Sequence, residues 1–178
     1  MRQLTIILTF LFLMSCKTTF KIVENPTDYS TVIKKGRVTG VVFKENATCF
    51  LCLQDKKRFT PTIEEIEKAE LILKRNLKTI NQTRINQFHK CPIIHNHLKS
   101  YRRQYFGYID KNGNKIVYVT FNWNRYNLLD RIRGYSKDES DNWKKEKEIV
   151  LDGCSYHWEI KINIDTKELF ELGINGIA

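Results

Sequence analysis

One stretch of this chain carries a helical period, and two long stretches after it alternate. Ile63, Ile66, Ala69, Leu73, Leu77 and Ile80 recur three or four residues apart and make one apolar stripe. Thr60 can cap such a helix with Pro61 in its first position, or Thr62 can cap it with Glu65 closing a capping box. Glu64, Glu65 and Glu67 at the start, and Lys74, Arg75 and Lys78 near the end, suit the helix dipole. Glu64–Lys68 and Glu70–Lys74 have the spacing of ion pairs on the outward side. The spacing predicts a helix over 62–80 that frays in 81–84. A helix with one apolar stripe must bury it against another layer, and the remaining sequence offers a sheet.

The sheet announces itself in two places. Tyr105 to Ile109 leads into Asp110-Lys111-Asn112-Gly113-Asn114, and Lys115 to Trp123 returns. Asn-Gly supplies the positive φ angles of a tight hairpin turn. Val117, Val119, Phe121 and Trp123 share one face, and the face of Ile116, Tyr118, Thr120 and Asn122 is more polar. Further on, Tyr156, Trp158, Ile160, Ile162 and Ile164 alternate with His157, Glu159, Lys161 and Asn163, which predicts a half-buried strand. Asp165-Thr166-Lys167 turns the chain into Glu168-Leu169-Phe170-Glu171-Leu172. Before the helix, Arg37–Phe43 and Thr48–Leu53 are β-rich runs. Between the hairpin and the late strand, 124–147 is a long polar excursion with Leu128 and Leu129 as its apolar anchors. The expected fold class is α+β: one main helix packed on a curved antiparallel sheet, a meander of about four strands.

The N-terminus bears on location. Arg2 is followed by an apolar run from Leu4 to Met14, too short to span a bilayer core of ~30 Å but suited to a signal peptide. Leu13-Met14-Ser15-Cys16 resembles the lipobox of bacterial lipoproteins. The resemblance implies cleavage before Cys16, a diacylglycerol on its thiol and in most cases an amide-linked acyl chain on its new N-terminus. Lys17 stands where an inner-membrane retention aspartate would be, which by the same resemblance favours the outer membrane, facing the periplasm. The implied organisation is a signal peptide over 1–15, a lipidated tether over 16–30 containing Pro26, and one domain over 31–178. The helix-then-meander order is similar to cystatin-like and PepSY-like domains. The closing stretch, Asp152-Gly153 through Trp158 to Asn175-Gly176-Ile177-Ala178, resembles the end of several short lipoproteins. Neither resemblance brings an activity with it.

Charge and cysteines narrow the chemistry. Thirty basic and 20 acidic side chains give a formal charge of +10, which suits an anionic neighbour such as lipid headgroups or an acidic glycan. Export makes nucleic acid the least fitting partner. With Cys16 lipidated, Cys49, Cys52, Cys91 and Cys154 remain, and an oxidising envelope permits disulfides among them, with three possible connectivities. Cys49 and Cys52 form a CxxC, but on a strand their thiols would fall on opposite faces, unlike a redox pair at a helix N-terminus.

His89, Cys91, His95 and His97 form the densest group of metal-type ligands, at a spacing that matches no zinc motif. Arg102 and Arg103 lie among Tyr101, Tyr105 and Phe106, a mixture that can meet an anionic surface or serve as strand-edge charges that discourage aggregation. Paired catalytic carboxylates and a Gly-rich phosphate loop are lacking in the sequence. Asp138-Glu139-Ser140-Asp141 lacks the glycine and bidentate glutamate of a calcium loop. The expectation is therefore a non-enzymatic binding module of the cell envelope, held to the membrane by lipid on Cys16 and carrying no other cofactor. Its partner would be an envelope protein, an anionic glycan or anionic lipid. The alternative is a metal- or thiol-handling protein using His89, Cys91, His95 and His97.

Overall fold

The helix forms where its sequence places it. In the computed structural model, which describes residues 18–49, 52–88, 90–126, 128, 132 and 140–177, α1 covers Ile63–Ile80. Thr62 caps it: its Oγ1 accepts from the Glu65 backbone N–H at 3.2 Å, and the Glu65 carboxylate accepts from the Thr62 N–H at 2.9 Å. Ile66, Ala69, Ile72, Leu73 and Leu77 are buried, so the stripe is the packed face. Glu70 does not pair outward with Lys74 as its spacing suggests. It turns inward to Arg103 and Tyr105.

Around the helix the described residues build an eight-stranded, mostly antiparallel open sheet, twice the expected number of strands. The strands are β1 (Lys21–Thr27), β2 (Ser30–Lys35), β3 (Val38–Phe43), β4 (Lys57–Phe59), β5 (Tyr101–Ile109), β6 (Lys115–Trp123), β7 (His157–Asn163) and β8 (Glu168–Ile174). Their order is β1-β2-β3-β5-β6-β7-β8, with β4 paired to the far end of β5. The run β5 to β8 is the expected meander. The β3–β5 pair is parallel, because the chain between them crosses over through α1 instead of turning back directly. Within the expected tether over 16–30, Lys21–Thr27 form β1, and Phe20 before it is buried against α1. Of the run 48–53, the described residues Thr48, Cys49, Cys52 and Leu53 are not in a strand. Cys52 N–H bonds back to Cys49 C=O, a local turn. Cys16, His89 and Leu129 lie outside the described residues.

Both faces of the sheet are covered. On one, α1 packs over Tyr101, Tyr105, Val117, Val119, Phe121, Trp158, Ile160 and Ile162. On the other, Val41, Phe43, Phe106, Tyr108, Ile116 and Tyr118 are covered by Ala47, Cys49 and Trp143 from irregular segments. Trp143 therefore pins the long excursion, and Leu128, 72% exposed, does not. Register fixes which ends lie together. Lys21 faces Lys34, Lys35 faces Val38, Gly40 faces Arg103, Tyr101 faces Trp123 and Trp158 faces Ile174. The starts of β1, β3, β5 and β7 thus share one end of the sheet with the ends of β2, β6 and β8. We call this the proximal end. The turns at 28–29, 110–114 and 165–167 lie at the distal end.

Candidate functional site

The proximal end holds a cleft of about 760 Å³ on the helix side of the sheet. Each wall brings cations. The C-terminal half of α1 supplies Lys74 and Lys78, the β2–β3 turn supplies Arg37, a 3-10 turn at Leu98–Ser100 supplies Lys99, and the chain leaving β6 supplies Arg125. All five are exposed, and none forms an ion pair among the described residues. No described carboxylate lines the cleft. Uncompensated like charges around a concavity raise its potential and concentrate anions there.

The wall facing α1 is built from the described residues of 81–100 and is firmly held. Asn81, at the C-terminus of α1, exchanges amide hydrogen bonds with Gln87, and Gln87 Oε1 accepts from the Ile94 N–H at 3.0 Å. Asn81 Nδ2 also donates to His95 Nδ1 at 3.0 Å, which leaves the ring proton of neutral His95 on Nε2. Burial lowers the His95 pKa first, and the positive charges of Arg84 and Lys78 lower it further. Cys91 is disulfide-bonded to Cys154 at the entry to β7. Ser155 Oγ donates to Pro92 C=O at 2.6 Å, and Tyr156 OH donates to Lys90 C=O at 3.0 Å. Asn124 N–H donates to Ser100 C=O, closing the wall onto β6.

The described members of the expected metal-ligand cluster, Cys91, His95 and His97, do not converge. Cys91 has no thiolate to offer, His95 Nδ1 is taken by Asn81, and His97 lies edge-on to Trp123 with ring centroids 6.0 Å apart. Among the described residues no three His, Cys, Asp or Glu side chains converge on a metal-sized site. Cys49 and Cys52 pair with each other within their turn, so the four cysteines form two separate disulfides.

Arg102 and Arg103 are not surface contacts. Strand alternation sends them to opposite faces, and both are buried. Arg103 reaches toward α1, with Nε 2.8 Å from Glu70 and the other nitrogens donating to the carbonyls of Tyr101 and Leu98. Arg102 pairs with Glu148 on the other face. There Asn122 Nδ2 donates to Glu148 at 2.7 Å and its Oδ1 meets His157 Nδ1 at 2.8 Å. Gln104 binds the carbonyls of Trp143 and Glu146 and accepts from the Glu148 N–H. This polar layer clamps 143–148 over the sheet. A small cleft beside it presents His157, Glu159 and Lys147, but no serine or free cysteine nucleophile stands in its described lining.

No protein family, characterised protein or solved structure matches this chain. The cationic cleft is thus identified by its own geometry. Sequence reasoning missed its residues because Arg37, Lys74, Lys78, Lys99 and Arg125 come from four separated segments. The only sequence signal was the net charge.

Proposed function

We propose that the chain is a cell-envelope lipoprotein, anchored through acylated Cys16, whose domain is a non-enzymatic binding module for an anionic partner. The observation that carries the binding reading is the proximal cleft lined by five cations and no described carboxylate. Location is supported by the lipobox and by the two disulfides, which suit an oxidising compartment. No described helix is long and apolar enough to cross a membrane, in keeping with attachment by lipid. Lys17 beside the lipidated cysteine favours the outer membrane, facing the periplasm.

The binding test titrates the purified full chain with dextran sulfate and with neutral dextran, following tryptophan fluorescence, since Trp123 adjoins the cleft through His97 and Tyr101. Dextran sulfate is expected to bind and neutral dextran not to. Lys74→Glu with Lys78→Glu should weaken binding strongly. Lys111→Glu with Lys167→Glu, the same charge change at the distal turns, should leave it nearly unchanged. Equal weakening by both pairs would reduce the cleft to diffuse charge and defeat this reading. Intact-mass measurement of the chain from its host tests the anchor, with cleavage before Cys16 and an acyl mass as the expected result.

A further inference from the structure

The proximal end gathers more than the cleft. Ile149, Val150 and Leu151 are exposed, Leu151 to 83%. They are fixed there by Asn175 after β8, whose Nδ2 donates to the carbonyls of Val150 and Asp152. Ile85 and Phe88, also exposed, lie in the segment that Asn86 ties to the carbonyl of Asn175. Ile22 and Val23, at the start of β1, are exposed as well. Cations on the helix side and aliphatic side chains beside and behind them therefore share one end of the sheet. By contrast, two of the three distal turns are polar, Asp110-Lys111-Asn112 and Asp165-Thr166-Lys167, and the third, Asp28-Tyr29, exposes one aromatic ring. Exposed apolar side chains and a cluster of cations at one end, here with Asp152 exposed beside Leu151, are the composition of a surface that sits in a membrane interface.

The chain's own course puts a bilayer at that end. Lys21 opens β1 at the proximal end, and Phe20 is already buried. Phe20 N–H donates to Glu67 of α1 at 2.8 Å. Between Cys16 and this fixed point only 17–19 are left as a leash, about 12 Å when fully extended. An acylated Cys16 would thus hold the proximal end, and no other, against the lipid headgroups.

From this we infer that the proximal end docks on the anionic phospholipid surface of the bilayer in which Cys16 is anchored. The phosphate groups are taken by Arg37, Lys74, Lys78, Lys99 and Arg125, and the aliphatic side chains of 149–151 enter the interface. The inference rests on the lipoprotein reading and names the anion of the cleft as lipid phosphate. Docking orients the domain, with the turns at 110–114 and 165–167 pointing away from the membrane.

The test uses the full acylated chain reconstituted in vesicles of phosphatidylcholine alone or with added phosphatidylglycerol. Lysines are acylated with a water-soluble reagent and the sites read by mass spectrometry. Lys74, Lys78 and Lys99 should be protected several-fold on anionic vesicles and released by high salt, while Lys111 and Lys167 label equally on both. Arg37→Glu should weaken the protection by at least about fivefold, the effect of one cation near an anionic surface. Leu151→Trp should be quenched by brominated acyl chains on anionic vesicles. Equal labelling of proximal and distal lysines on an acylated chain would overturn docking and leave the anchor standing. An unacylated chain whose proximal lysines are still protected by added anionic vesicles would defeat the anchor and keep the surface. Protection by dextran sulfate in solution, with none on vesicles, would make the cleft a soluble-polyanion site and overturn the inference.

Discussion

Arg103 shows how far a residue's surroundings can depart from its type. A guanidinium beside aromatics on a strand suggests contact with solvent or a partner, yet Arg103 is 1% exposed and its ring neighbour is Phe121 at 5.1 Å. Its charge is tolerated because Glu70 reaches in from α1 and two backbone carbonyls take the remaining donors. Removing the carboxylate alone would leave a buried cation. Glu70→Ala should cost about 3 kcal/mol in denaturant unfolding, whereas Glu70→Leu combined with Arg103→Met should recover most of that loss. A single-mutant cost near zero would mean that the pair is solvated. His157 supplies the pH prediction. Burial lowers its pKa, and Arg102 lowers it further, so the folded state resists protonation more than the unfolded chain does. Its contribution to stability is full above the unfolded value of about 6.5 and declines as pH falls through the depressed folded value. His157→Gln should flatten the decline of urea midpoints with acidification, and an unchanged slope would count against this assignment. Neither environment was legible in the sequence, because the decisive partners, Glu70 for Arg103 and Asn122 and Arg102 for His157, are each more than thirty positions away.

At the scale of elements, legibility followed local information. The capping box at Thr62 and Glu65, the stripe of α1 and the hairpin at Asn112-Gly113 are short-range signals, and each formed, although at the turn only Gly113 takes a positive φ and the loop runs over 110–114. The alternation of β7 likewise placed Trp158, Ile160 and Ile162 under the helix. β1 escaped notice because it is an edge strand exposed along most of its length and holds Pro26, so it shows no apolar alternation. β4 is only three residues long and exists by pairing with β5. That pairing is close: a Cβ on Gly107 would lie 2.5 Å from the Phe59 carbonyl oxygen. Gly107→Ala should push β4 off the sheet and cost about 1–3 kcal/mol, measured by chemical denaturation. An unchanged midpoint would show that β4 contributes no packing. The cleft wall depends on a covalent tie that sequence left open among three pairings. Cys91 and Cys154 are separated by 63 residues, and losing the bond should cost about 4 kcal/mol by the chain-entropy estimate. In a Cys91→Ser, Cys154→Ser chain, amides of 86–97 should exchange faster than those of α1. Uniform protection would show that the hydrogen bonds from Ser155 and Tyr156 hold the wall without it.

At the scale of the molecule, charge and topology point the same way. Among the described residues the sheet is covered on both faces, by α1 and by the irregular segments carrying Trp143. What remains open is an end. On the proposed lipid anchor at Cys16, so short a leash would make membrane docking almost intramolecular, and effective concentration would then decide how firmly the cations hold. Inserting about twenty Gly/Ser residues after Thr18 lengthens the root-mean-square span to about 25 Å and lowers the effective concentration about tenfold. No contact is removed, so stability should be unchanged. On anionic vesicles, however, Lys74, Lys78 and Lys99 should lose their protection at a lower salt concentration than in the parent chain. If the salt dependence were identical, the proximal surface would be binding lipid on its own affinity, and the short leash would add nothing to it. If protection instead strengthened, the native leash would be holding the domain off the bilayer, and the orientation argued from β1 and Phe20 would fall.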